Sequence, residues 1–154
     1  MLAAAHVFER VFMFAPCPLC LRQREVYWAI AAMATTALLL WQIRQNRRFI
    51  LSVNVMLGLV FLTGAVVAGY HAGVEWGLLP APSGCAAGAV DVEGVNFDNL
   101  NAAQATESCT EAPFYIAGLS MAGWNAVASI ALSAISFRAA GVVLSSRLDL
   151  HPAE

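Results

Sequence analysis

Two cysteines, Cys17 and Cys20, stand in the run Pro16-Cys-Pro-Leu-Cys-Leu-Arg-Gln-Arg24. Such a pair can hold a metal, staple a fold or exchange electrons with other thiols. A zinc site asks for two further ligands at close spacing. The remaining cysteines, Cys85 and Cys109, are remote and lack that spacing, so no metal is expected. Pro16 and Pro18 favour an extended or turn backbone around Cys17. Pro18 also suits the first turn of a helix. Cys20 then falls in that turn, where free N–H groups and the helix dipole favour a thiolate. Arg24 lies four residues on and shares the helix face of Cys20.

The elements that must hold these residues are apolar. The chain has 154 residues, only 12% of them charged, and a mean hydropathy of +0.68. That composition fits a small integral membrane protein of one domain, residues 1–154. All eight basic residues are Arg. The only basic run is Arg44 to Arg48, so nucleic acid is not an expected partner. Three charge-free stretches, Val26 to Ile43, Phe49 to Val74 and Ala112 to Phe137, reach the roughly 20 residues a bilayer requires. Lipid admits only helices or closed barrels, and the lengths favour helices. We therefore expect helices over about 19–43, 49–73 and 113–137, with an outer loop over 75–111.

The opening segment is apolar but carries His6, Glu9 and Arg10. Fifteen helical residues reach only about 22 Å, short of a hydrocarbon core of about 30 Å. It has neither the basic start nor the small-residue cleavage site of a signal peptide. It reads as a partial helix over 2–14, the outer end of one whose beginning is missing. The fold class is thus all-α: an integral membrane four-helix bundle, its first helix truncated, with an outer loop that bears cysteines.

Charge sets the orientation. Arg44, Arg47 and Arg48 sit between the second and third apolar segments, and Arg138 and Arg147 follow the last. The 75–111 loop carries six acids and no base. The positive-inside rule puts the Arg-rich loop in the cytoplasm and all four cysteines outside, where a bacterial periplasm permits disulfides. Four cysteines allow three pairings, and the sequence does not choose among them. A disulfide between Cys85 and Cys109 would tether the loop that runs between them.

Arg24 is out of place twice, basic at an outward end and basic in the first turns of a helix. It is either an interfacial anchor, paired with Glu25, or the partner of something electron-rich, such as a thiolate or a quinone carbonyl. His71 and Glu75 close the third apolar segment on the same side. A histidine there is either solvated, or it hydrogen-bonds a quinone or moves protons. Trp28, Tyr70, Trp76, Tyr115 and Trp124 fit an interface belt. Gly64 with Ala68, Ala65 with Gly69, and Gly118, Ala122 and Ala126 are spaced for close helix packing.

Taken together, these pieces resemble the disulfide bond formation protein B (DsbB) family. The likeness rests on Pro16-Cys-Pro-Leu-Cys-x-x-x-Arg24, Tyr70-His-Ala-Gly-Val-Glu75, and Cys109 followed by Gly118-Leu-Ser-Met-Ala-Gly-Trp-Asn125. It covers about residues 5–140. The resemblance implies four transmembrane helices in a bacterial inner membrane. It also implies re-oxidation of a periplasmic DsbA-like thioredoxin-fold oxidase, with electrons passed to a quinone, ubiquinone or menaquinone.

On that resemblance, Cys85 is attacked by the partner's thiolate, and its mate Cys109 hands the reducing equivalents to Cys17. Cys20 meets the quinone, Arg24 contacts it, and His71 stands nearby. The physics is compatible: thiolate attack needs an accessible disulfide, and quinone reduction needs a low-pKa thiol beside a cation. The acidic 91–107 stretch departs from the pattern, being too polar for a membrane-lying helix. A thiol reductase of the vitamin K epoxide reductase type would carry its Cys-x-x-Cys late in the chain, not early. The alternative from another class is a non-catalytic membrane subunit whose disulfides only brace its outer loop.

Overall fold

The computed structural model describes residues 2–12, 16–43, 46–82, 85, 108–112 and 114–145. Arg44, Arg147 and the acidic 91–107 stretch lie outside these residues. Four helices appear in chain order: α1 (Leu2–Val11), α2 (Pro18–Trp41), α3 (Arg47–Glu75) and α4 (Met121–Ser145). A two-stranded hairpin, β1 (Tyr115–Ile116) and β2 (Leu119–Ser120), precedes α4.

Local chemistry fixes each start. Cys17 is the N-cap of α2, its sulfur accepting the Cys20 N–H at 3.1 Å, with Pro18 in the first turn. Asn46 caps α3 by accepting the Arg48 N–H at 3.0 Å, so Arg47 and Arg48 lie in its first turn. Ser120 Oγ accepts the Gly123 N–H at 3.1 Å at the head of α4, the bond an N-cap serine makes. Glycine marks the end of α3. Gly77 has φ +68° just past the cap residue Trp76, where only glycine is unstrained. Leu78 N–H returns to Gly73 O at 2.9 Å, and Tyr70 Oη donates to Pro80 O at 2.8 Å. The chain leaving α3 is thereby folded back over the helix end.

The helix expected from residue 113 begins instead at Met121. Ala117 and Gly118 take positive φ, 51° and 80°, and the antiparallel pairs are Tyr115 with Ser120 and Ile116 with Leu119. Two such residues make the primed turn that suits a two-residue hairpin. Trp124 Nε1 donates to Ile116 O at 2.8 Å and holds the hairpin against α4.

Two of the three long apolar helices, α3 and α4, are long and apolar enough to cross a membrane. α2 has the length, with 24 residues, but Arg22, Arg24, Glu25, Thr35 and Thr36 dilute its apolarity. Large apolar side chains such as Leu38, Val66, Ile130, Ile135 and Val142 are exposed on the outer faces. The interior is made of small and polar residues. Gly64, Ala65, Ala68 and Ala72 are buried on α3, whereas Gly69 is exposed with nothing within 4 Å of a Cβ placed there. On α4 the buried stripe is Ala122, Asn125, Ser129, Ser133, Ser136 and Ala140. Gly118 does not belong to it, because the hairpin takes it out of the helix. Small faces let helix axes approach closely, which is how helices gain packing energy in lipid.

Gly64 sits where three helices meet. A Cβ there would lie 3.3 Å from Val26 of α2 and 3.5 Å from Ser129 of α4. Gly64→Leu should therefore separate these helices and cost about 1–3 kcal/mol as an overpacked site. Gly69→Leu should be near neutral. Thermal aggregation of the two variants in detergent checks this; equal midpoints would contradict it.

Candidate functional site

Cys17, Cys20, Arg24, His71, Cys85 and Cys109 converge on the end formed by the start of α2, the end of α3 and the head of α4. On α2, Cys20, Gln23, Arg24 and Tyr27 follow helical spacing and face inward together. Cys17 is buried, 4% exposed, and Cys20 is half-buried. These two thiols are unbonded. Cys85 and Cys109 form a disulfide, Cα–Cα 5.2 Å, and each is 1% exposed. That disulfide belongs to the same buried cluster as Cys17, Leu19 and Val74, with Cys20 and Tyr70 packed against it. The two cysteine pairs are therefore adjacent. The accessible disulfide anticipated from thiol chemistry is instead a buried one.

A cavity of about 150 Å³ opens beside Cys20. Its wall is mostly apolar, with Cys17, Arg24, His71, Glu75 and Phe114 among the lining residues. An apolar hole of about this size accepts one six-membered ring. α1 supplies the outer wall, where Phe8 packs on Phe114 at a centroid distance of 4.9 Å.

Arg24 is not paired with Glu25, which instead binds the exposed Arg22 at 2.9 Å. The Arg24 guanidinium donates to Glu9 of α1 and, at 3.3 Å, to Ala5 O. Guanidinium carries five donors, so donors remain for a ligand in the cavity. Glu9 was visible in the sequence only as a charge that disfavoured a membrane span.

His71 is the centre of a hydrogen-bonded chain that crosses three helices. Tyr27 Oη donates to Asn125 Oδ1 and lies 3.2 Å from Ser129 Oγ. Asn125 Nδ2 donates to Gln23 Oε1. Gln23 Nε2 meets His71 Nδ1 at 2.7 Å. With the amide donating, Nδ1 is the acceptor and Nε2 carries the imidazole proton. Nε2 lies 3.7 Å from Cys17 Sγ and 3.7 Å from Glu75 Oε1. Gln23, Tyr27 and Asn125 were not singled out from sequence for this role. Two signals existed: the spacing of Gln23 and Tyr27 from Cys20, and a polar Asn125 inside an apolar span.

Cys20 lies in the first turn of α2, as the spacing predicts, and Cys17 is the cap that accepts its N–H. The Leu19 and Cys20 amides favour charge on the Cys17 sulfur, but its hydrogen bond with the Cys20 sulfur and its burial outweigh them. The net effect raises the Cys17 thiol above the ordinary cysteine range, so the proton of the pair stays with Cys17.

Cys17, Cys20 and His71 each offer a ligand atom within 4.8 Å of the others, a grouping that could hold a metal ion. The sequence did not suggest this, because His71 is remote from the cysteines along the chain. The hydrogen-bond direction opposes it. A ligating Nε2 is bare and its Nδ1–H donates to an acceptor; here Nδ1 accepts.

A family model described as disulfide bond formation protein DsbB matches residues 1–139. A protein of Rickettsia prowazekii (strain Madrid E), named there as uncharacterized, is 28% identical over 134 residues, covering 85% of this chain and 74% of that one. No solved structure matches the chain.

The metal reading has a direct check. Zinc titrated into the reduced chain against a chromophoric chelator should bind no tighter than to His71→Ala. A marked loss of affinity in His71→Ala would show that the trio is a metal site.

Proposed function

The chain belongs to the disulfide bond formation protein DsbB family, membrane proteins of disulfide-bond formation, and from that premise we propose that it is a quinone-dependent thiol oxidase. It re-oxidises a periplasmic DsbA-like thioredoxin-fold partner and passes the electrons on through its two cysteine pairs. In this reading α1 to α4 form a four-helix membrane bundle of one domain, residues 1–154, in the inner membrane. The cysteine end faces the periplasm. Arg47 and Arg48, at the opposite end of α3 from Glu75, face the cytoplasm, in keeping with the positive-inside rule.

The observation that carries the reading is the shared cluster: the Cys85–Cys109 disulfide packs with Cys17, and Cys20 opens onto the ring-sized cavity beside Arg24. Thiol–disulfide exchange proceeds through mixed disulfides, so pairs that exchange must come into contact. The partner's thiolate attacks Cys85, Cys109 leaves as a thiolate, and the partner's second thiol resolves the mixed disulfide, so that the partner is oxidised and the loop pair reduced. The reduced loop pair is then re-oxidised by Cys17 and Cys20 when these stand as a disulfide. The cavity fits the headgroup of a quinone: its wall is apolar and one guanidinium reaches it. A quinone bound there supplies the oxidising power, taking two electrons and two protons. Arg24 orients it and favours negative charge on its oxygen, in surroundings where water screens poorly. His71 is held by Gln23 with Nε2 towards Cys17.

The burial of Cys85 and Cys109 has a consequence. At 1% exposure neither sulfur is open to a protein thiolate. The arrangement described is one for exchange with Cys17, and attack by a partner requires the disulfide to leave the cluster. The same burial is what a purely structural disulfide would show, so a non-catalytic subunit is the competing reading. Trapping decides between them. A partner that keeps only its attacking cysteine, and so cannot resolve the intermediate, should accumulate a mixed disulfide with the oxidised chain, seen as a non-reducing gel shift that Cys85→Ala abolishes. Normal partner turnover in both Cys85→Ala and Cys109→Ala would leave the disulfide a brace.

A second test separates Arg24 from the other arginine on α2. Charge-assisted hydrogen bonds are worth roughly 1.5–3 kcal/mol, so Arg24→Gln should impair quinone reduction by about 10- to 150-fold. Exchange at Cys85 should continue. Arg22→Gln, on an exposed residue paired with Glu25, should change little. Quinone absorbance followed in detergent reads both; equal small effects would reduce Arg24 to an anchor for α1.

A further inference from the structure

Glu75 has no role in the scheme above, and its surroundings are unusual. It is the last residue of α3, its side chain 4% exposed, and it lines the cavity with Cys17, Cys20 and Arg24. Its Oε1 lies 3.7 Å from His71 Nε2. Its Oε2 is buried with no hydrogen-bond partner. We propose that Glu75 is the proton donor of this cavity. The proposal rests on the quinone-reductase reading of the site.

Three facts argue for it. First, an unpaired buried carboxylate is costly, so a carboxyl in this position is stable only with its proton. Arg24, the cation on the same wall, is engaged by Glu9. From α2 the carboxyl faces Cys20, whose thiolate would repel a second negative charge. From β2 it faces Ser120, whose hydroxyl is the one neighbour that favours the charged form, and from its own helix His71. The C-terminal end of α3 disfavours an anion as well. Second, a donor must be within reach of what it protonates, and Glu75 lines the cavity itself. Third, the carboxyl has a fixed neighbour. His71 Nε2 lies 3.7 Å from Glu75 Oε1 and 3.7 Å from Cys17 Sγ, and Gln23 holds the ring there through Nδ1. Ionisable groups inside a membrane protein mark proton paths more often than packing.

The step balances. Cys17 thiol and Cys20 thiolate give up two electrons as their sulfur–sulfur bond closes. Glu75 gives its proton to the cavity. The Cys17 thiol gives up the second proton as the bond closes, and the quinone leaves as quinol. Water at the cavity mouth afterwards restores the proton on the Glu75 carboxylate.

The test pairs kinetics with spectroscopy on the full chain in detergent. Single-turnover reduction of a soluble short-tailed quinone by the reduced protein is measured for wild type, Glu75→Gln and Glu75→Asp. General acid catalysis contributes about 10²–10⁴-fold. Glu75→Gln should therefore lose about 100-fold in the limiting rate with little change in KM, and Glu75→Asp should recover part of the loss. Opening of the Cys85–Cys109 disulfide by a small dithiol, the folding control, should match wild type. In the quinone-free reduced protein, the infrared spectrum at neutral pH should contain a protonated-carboxyl C=O stretch that Glu75→Gln removes. A Glu75→Gln rate equal to wild type, or no such band, overturns the proposal. A wild-type chain that leaves quinone untouched overturns the functional reading, and this proposal with it. Wild-type activity with an indifferent Glu75→Gln overturns this proposal alone.

Discussion

The cysteine end of the molecule depends on one chain of hydrogen bonds, from Tyr27 through Asn125 and Gln23 to His71. It begins on α2, crosses to α4, returns to α2 and ends on α3. No other described polar chain links all three helices. An unmatched amide or imidazole in an apolar interior costs several kcal/mol, so the three helices have one relative register in which every member is satisfied. Alanine and glycine faces alone would not fix that register, because small residues slide past one another at little cost. The polar chain therefore does two things with the same atoms. It sets how α2, α3 and α4 fit, and it aims His71 at Cys17.

The second constraint is the choice between reach and exclusion of water. A disulfide that receives electrons from a soluble protein must be exposed, and one that hands them to a buried thiol must be covered. The Cys85–Cys109 pair cannot do both in one position. The structure has it covered, beside Cys17. Backbone ties between Cys85 N–H and Pro82 O at 3.0 Å, and Cys109 N–H and Cys85 O at 3.4 Å, are its only described main-chain anchors.

What could be read from the sequence was local. Pro18 at the start of α2 and the apolar lengths of α3 and α4 follow from short-range rules. The candidate cysteines, Arg24 and His71 carried their chemistry in their residue types. What could not be read was set by contacts across the fold. The hairpin at Ala117 and Gly118 looks like more apolar helix until the positive φ angles are seen. Gly118, spaced to extend a packing stripe, is spent on that turn. Arg24 has Glu25 as its neighbour in sequence but Glu9 as its partner in space. Glu75 reads only as the close of the third apolar segment, yet its side chain is buried against the cavity. The place of Cys20 in the first turn of α2 is legible from Pro18, but the bond from its N–H to the Cys17 sulfur is not.

The pairing of Arg24 with Glu9 changes what the cation can do. A lone guanidinium about 4 Å from a developing negative charge would be worth about 4 kcal/mol at an effective dielectric constant near 20. With a carboxylate on its other side, part of that field is cancelled before any ligand arrives. The net field on the empty cavity is thereby reduced, while Arg24 keeps donors beyond those that Glu9 and Ala5 engage. That matters for an apolar cavity beside lipid, where an uncompensated arginine would be costly to keep. Glu9 makes Arg24 tolerable there, and the α1 face that carries Glu9 also closes the cavity through Phe8 and Phe114. α1 makes few contacts with the rest of the fold, but it supplies both the counter-charge and the wall on which a ring-sized site depends.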